Sequence, residues 1–328
     1  MPRSRSMAGA AALVVVLVAS ACTSAAVESG APTPTLAPSP MSSATAGPTP
    51  RPTLPATVES TPAATPTPVP TESLTEPFDH AAFTDSATVD NRWFPLKPGT
   101  QWVFQGKAND GKERVSRKVV ITVTDLVKVI DGVRSAVTYD LDYTSGELGE
   151  AELAFYAQDD HGTVWLMGEY PEEIEDGKIV EAPAWIAGRQ DAKAGILMKA
   201  EPEPVAPSYS EGWGPAVGWT DRAKVFETGS ATCVPAGCYK DVLVIDEFNR
   251  DEPDAHQLKY YAPGVGGVRV GWAGAKEDEQ EVLELLRVVS LSPDAMAKAR
   301  AAALAQDKRS YKISPAVFEG AAPLAALP

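Results

Sequence analysis

Histidine and cysteine are scarce in this chain of 328 residues, with three of each. His80, His161 and His256 are too few and too scattered for a metal centre recognisable by ligand spacing, and no cofactor motif takes their place. Three thiols cannot staple a disulfide framework. No apolar run reaches the ~20 residues a spanning helix needs; the stretch from Ala8 to Ala19 is about a dozen long. Basic residues number 29 against 44 acidic ones, for a formal net charge of −15. Such a surface repels anionic polymers, so nucleic acid is excluded as a partner. Neither His-Glu-x-x-His nor Gly-x-Ser-x-Gly occurs, and no catalytic residue is assigned. Gly106 to Lys112 has phosphate-loop spacing, but Glu113 stands where a metal-binding hydroxyl belongs.

What is present begins with an address. Arg3 and Arg5 precede the apolar run, and Ala19-Ser20-Ala21-Cys22 follows it, which predicts a bacterial export signal over residues 1–21. Cys22 after small residues resembles the lipobox of bacterial lipoproteins, whose thiol takes a diacylglycerol before cleavage. The pattern departs at Ala19, where Leu, Val or Ile is usual. Lipid on Cys22 anchors the chain to the cell membrane from outside; ordinary cleavage after Ala21, giving a soluble secreted protein, is the alternative. Two acyl chains at ~0.8 kcal/mol per buried CH₂ suffice for stable attachment. Residues 22–77 are rich in Pro, Thr, Ser and Ala, cannot offset their ordering entropy, and are expected to form a disordered, semi-stiff linker.

From Phe78 the pattern changes to short β-branched and aromatic runs. Thr100 to Gly106, Arg114 to Asp125, Val133 to Tyr143, Glu147 to Gln158 and Thr163 to Tyr170 form one series. Asp221 to Cys233, Tyr239 to Asn249, Gln257 to Tyr261, Gly267 to Trp272 and Glu281 to Leu291 form another. Asp131-Gly132, Ser145-Gly146 and Asp176-Gly177 supply the positive φ of tight hairpins. Tyr139-Asp140-Leu141-Asp142-Tyr143 alternates like a strand with one solvated face. The expected fold is mainly β, a large curved antiparallel sheet forming a half-barrel or barrel over residues 78–291. One helix, residues 292–308, follows the N-cap Ser292, Pro293 and Asp294, and residues 309–328 are expected to be disordered. Cys233 and Cys238 flank the turn Val234-Pro235-Ala236-Gly237 and are expected to form a disulfide in an oxidising compartment.

Three stretches, Asn91 to Trp102, Trp165 to Glu169 and Tyr260 to Gly266, resemble a family of uncharacterised secreted and lipid-anchored bacterial β-proteins found especially in actinobacteria. Gly195 to Met198 and Val234 to Gly237 also fit that pattern. The resemblance covers about residues 90–290; it implies a fold and an envelope location and no activity. The cysteine pair and the segment Gly212 to Trp219 depart from the family.

Asp159-Asp160-His161-Gly162 and the acidic run from Glu169 to Asp176 read as turn formers and solvated loops before they read as a calcium site or an acid–base pair. Trp185, Trp213 and Trp219 stand among Gly and Pro, where large aromatics either plug a core or face a ligand. The leading expectation is a binding lipoprotein that holds a lipid or other apolar ligand in a β concavity. A cell-envelope interaction module without a small ligand is the second reading, and a hydrolase with an unrecognised carboxylate site the third.

Overall fold

In the computed structural model the described residues are 73–327 apart from Val205 and Pro253; the export signal, Cys22 and most of the linker lie outside them. Hairpin chemistry sets the chain's course. Asp131 and Gly132 both have positive φ (48° and 81°), as do Ser145 and Gly146 (53° and 91°) and Asp176 and Gly177 (50° and 71°). That is the type I′ geometry whose twist matches the strands it joins.

β1 (Thr100–Asn109), β2 (Arg114–Ile130), β3 (Val133–Thr144), β4 (Glu147–Gln158) and β5 (Val164–Glu175) form an antiparallel meander. Two short pieces, β6 (Lys178–Glu181) and β7 (Trp185–Ile186), pair with β5, as does β8 (Lys193–Met198). After β9 (Tyr209–Ser210) and β10 (Gly212–Trp213), a second meander runs through β11 (Asp221–Val234), β12 (Gly237–Asn249), β13 (His256–Ala262), β14 (Gly266–Ala273) and β15 (Val282–Ser290). β15 returns to β1, which joins the two meanders into one sheet.

The ends of that sheet meet. β9 pairs with β11 and β10 pairs with β8, so one five-residue stretch carries the hydrogen bonds of both edges and nearly closes the barrel. Gly195 makes the approach feasible: a Cβ there would lie 2.2 Å from the backbone of Glu211 and Gly212. Closure removes exposed edges, which otherwise invite strand addition. Cys233 and Cys238 face each other across the β11–β12 hairpin as a disulfide, with Cα atoms 4.0 Å apart.

Alternate residues divide the apolar side chains between two clusters. One fills the lumen with Trp102, Phe104, Tyr156, Leu166, Ile245 and Tyr261 among others. The other lies outside, where Leu153, Phe155, Met167 and Tyr170 are covered by the C-terminal segment. Ser292 caps α1 (Pro293–Ile313) by accepting from the Ala295 amide.

Residues 309–327 are ordered, contrary to expectation. α1 runs on to Ile313, α2 (Pro315–Phe318) follows, and β16 (Ala325–Ala326) adds to β2. The Ala and Pro content conceals its anchors. Phe318 is fully buried against Tyr170. Lys128, on β2, gives its ammonium to Asp307 Oδ1 (2.5 Å), to the Ala322 carbonyl and to the Tyr311 hydroxyl. At the other boundary, residues 73–77 belong to the body rather than to the linker: Arg222 donates to the Ser73 carbonyl and the Ser210 amide donates to Glu76.

Candidate functional site

The strands place a cleft at one end of the lumen. Asn91 turns the preceding loop by accepting at Oδ1 from the amides of Trp93 (2.8 Å) and Phe94 (3.1 Å), while its Nδ2 donates to the carbonyls of Gly162 and Lys199. The loop is tied to the β13–β14 turn, since the Gly264 amide donates to the Arg92 carbonyl and Trp102 Nε1 donates to the Val265 carbonyl. Two motifs of the family resemblance, some 160 residues apart, thus meet. Between them lies an open cleft of about 60 Å³, lined by Phe94, Pro95, Leu96, Trp102, Phe104, Ile121, Tyr156, Tyr260, Tyr261 and Val270, with Thr138, Asp140, Lys259 and Arg269 as its polar members.

Beyond the cleft the lumen turns acidic. Register puts Asp140 directly opposite Glu152, Asp142 opposite Glu150, and Glu150 opposite Glu173. Each of these residues is buried. Asp221 on β11, Glu247 on β12, Glu211 between β9 and β10, and Glu281 just before β15 are also buried. Like charges directly opposite on a sheet destabilise it. Arg117 and Lys259 offset part of the cost: Arg117 reaches Asp142 at 2.5 Å and Lys259 pairs with Glu247. Among the described residues, no three of these carboxylates converge as a metal-holding group.

Burial governs how these groups hold protons. It lifts Glu152 to about 8, with Asp140 pushing the same way and Lys259 opposing. It lifts Glu173 to about 7, helped by Glu181 and Glu175, and Asp142 to about 6 against the pull of Arg117. Asp140 rises well above the ordinary range through burial, against the Thr138 hydroxyl and Thr122 backbone that favour its charge and with Glu169 adding to the rise. For Lys259, burial works against the charge, yet Glu247, Glu211 and Asp221 outweigh it and hold the ammonium above its usual value.

The tryptophans singled out from the sequence sit elsewhere. Trp185 and Trp219 pack together with ring centroids 4.8 Å apart, both buried, beside the seam. Gly212 leaves them room, since a Cβ there would come within 2.6 Å of both rings. Trp185 Nε1 donates to Glu169. Trp213 is half-buried on β10, opposite Lys193. None of the three lines the cleft; Trp102 does. Asp159 accepts from the amides of His161 and Thr163 and from Trp165 Nε1, and Asp160 accepts from Thr84, the work of turn formers.

Sequence reasoning missed Asp140, Glu152 and Lys259. The alternation in Tyr139 to Tyr143 is real, but its faces are inverted. Asp140 and Asp142 point into the lumen, and the partly exposed Tyr139, Leu141 and Tyr143 point out. A period of two marks the faces and does not say which is inside.

No protein-family model and no curated protein matches this chain. Two solved structures resemble its fold. One is described as an exported protein with a YmcC-like fold, from Bacteroides fragilis, at 14% identity and a TM-score of 0.36, covering 61% of this chain and 99% of that one. The other is described as a lipoprotein, from Parabacteroides distasonis, at 14% identity and a TM-score of 0.35, covering 61% and 100%. Both organisms are Bacteroidetes and not actinobacteria. A likeness at this level says nothing of activity or location.

Proposed function

We propose that this chain is an extracytoplasmic binding protein, held to the membrane through Cys22, whose barrel takes an apolar-bodied small molecule into the cleft between the Asn91–Trp102 loop and the β13–β14 turn. One observation carries the reading: an open cleft of about 60 Å³ walled by Phe94, Trp102, Tyr156 and Tyr261 at the end of the lumen. A barrel filled by its own side chains has no such space, and buried aromatic walls favour an apolar guest. The N-terminal residues support the location, because the short apolar run ends at a cysteine placed for lipidation. Trp185, Trp213 and Trp219 are replaced in the ligand-facing role by Trp102 and Tyr261.

Mass spectrometry of an organic extract of the purified protein tests this. Gly267 lines the cleft, and a Cβ there would lie 3.8 Å from Phe104 and 4.0 Å from Tyr261, both ordinary contacts. Gly267→Leu therefore fills the space without backbone strain. A stoichiometric apolar compound in the wild-type extract and its absence from the Gly267→Leu extract are expected. The same compound at equal amounts in both would place it outside the cleft and overturn the reading.

A further inference from the structure

The polar end of the cleft specifies the ligand's head group. Asp140 Oδ2 accepts from the Thr138 hydroxyl at 3.2 Å, while Oδ1 has no hydrogen-bond partner although the residue is 7% exposed and lines the cleft. An unsatisfied buried carboxylate oxygen is costly. The cross-strand neighbour of Asp140 is Glu152, one of whose oxygens is likewise without a partner. Of the two cations lining the cleft, Lys259 is already committed to Glu247 with Glu211 and Asp221 close by, and Arg269 lies 4.0 Å from Glu284 with its guanidinium over the Tyr260 ring. The walls are aromatic faces, which attract cations.

Resting on the binding function proposed above, we propose that the cleft is an ammonium-recognition site: an alkyl or arylalkyl amine lies with its apolar body among Phe94, Trp102 and Tyr261 and its N–H donors on Asp140 Oδ1. A fatty acid of the same length would bring a further carboxylate beside Asp140 and Glu152, where burial already opposes negative charge, and is disfavoured.

The test displaces bound N-phenyl-1-naphthylamine, a neutral fluorescent probe, from the full protein at 0.15 M salt with dodecylamine, dodecanol or dodecanoate below their micellar concentrations. Dodecylamine is expected to displace the probe at a concentration at least tenfold below dodecanoate, with dodecanol between them. Asp140→Asn should shrink the amine's advantage over dodecanol and dodecanoate severalfold. Equal potency of amine and acid, or an advantage untouched by Asp140→Asn, would overturn the ammonium assignment and leave the apolar binding function standing. If Asp140→Asn does not fold, Thr138→Val, which removes the hydroxyl orienting Asp140, takes its place with the same criterion. A probe that shows no saturable binding to the wild type would overturn both.

Discussion

Replacing Glu152 with glutamine takes one proton-binding group out of the middle of the barrel and keeps its shape. In the folded protein the Glu152 carboxyl is lifted from 4.5 to about 8 by burial and by Asp140 across the strand pair. The folded chain therefore holds a proton that the unfolded chain has released between these values. The stability linked to this group is fully present below about pH 4.5 and is lost as pH rises through the folded value near 8. At ~1.4 kcal/mol per tenfold change in proton affinity, full ionisation costs on the order of 5 kcal/mol. Asp142, lifted to about 6, and Glu173 and Glu279, both lifted to about 7, act with the same sign. Asp125 is lowered by its Arg300 partner, so its own contribution is lost only in stronger acid and does not oppose the slope in this window. The wild type is thus expected to be more stable at pH 5 than at pH 8.5. Glu152→Gln, neutral throughout, should lie within ~1 kcal/mol of wild type at pH 5 and exceed it by ~2–4 kcal/mol at pH 8.5. Urea unfolding followed by tryptophan fluorescence at the two pH values measures both quantities. A wild type more stable at pH 8.5, or a variant equally destabilised at both, would refute the assignment of Glu152 to a buried, proton-holding lumen.

Three further outcomes are expected. Cys22→Ala should move the protein from the membrane fraction to the medium, and equal solubility of variant and wild type would favour ordinary secretion. Removing the Cys233–Cys238 bridge with paired serines should cost at most ~2 kcal/mol, since so short a loop constrains little of the unfolded chain; loss of the far-ultraviolet β signal would contradict this. Asp307→Ala leaves the fully buried Lys128 ammonium without its charge partner. It should cost ~3–5 kcal/mol and expose residues 315–327 to limited proteolysis, whereas unchanged cleavage would show that the segment is held by Phe318 and Leu324 alone.

The strands were legible because their signals are local. Alternation and Asp-Gly or Ser-Gly corners located β1 to β5 and β11 to β15 to within a few residues, and Ser292 with Pro293 located the start of α1. The cysteine pair was legible for the same reason, five residues apart across a turn. What escaped depends on contacts distant in sequence. Order in residues 309–327 rests on Lys128 and Tyr170, more than a hundred residues upstream. The placement of Asp140 and Glu152 inside rests on the closure made by residues 209–213, whose two short pairings carry no pattern of their own. Trp185 and Trp219 were recognisable as unusual and became the packing of that seam. The cleft was half visible, because the motif stretches Asn91 to Trp102 and Tyr260 to Gly266 supply most of its walls, though nothing local indicated that they meet.

The most direct measurement is a fluorescence titration of N-phenyl-1-naphthylamine into wild type and Gly267→Leu. A saturable, one-to-one enhancement in the wild type, reduced at least tenfold in affinity by a leucine that fills the space between Phe104 and Tyr261, is the result the cleft predicts. No saturable enhancement in the wild type, or equal binding by both proteins, would contradict it.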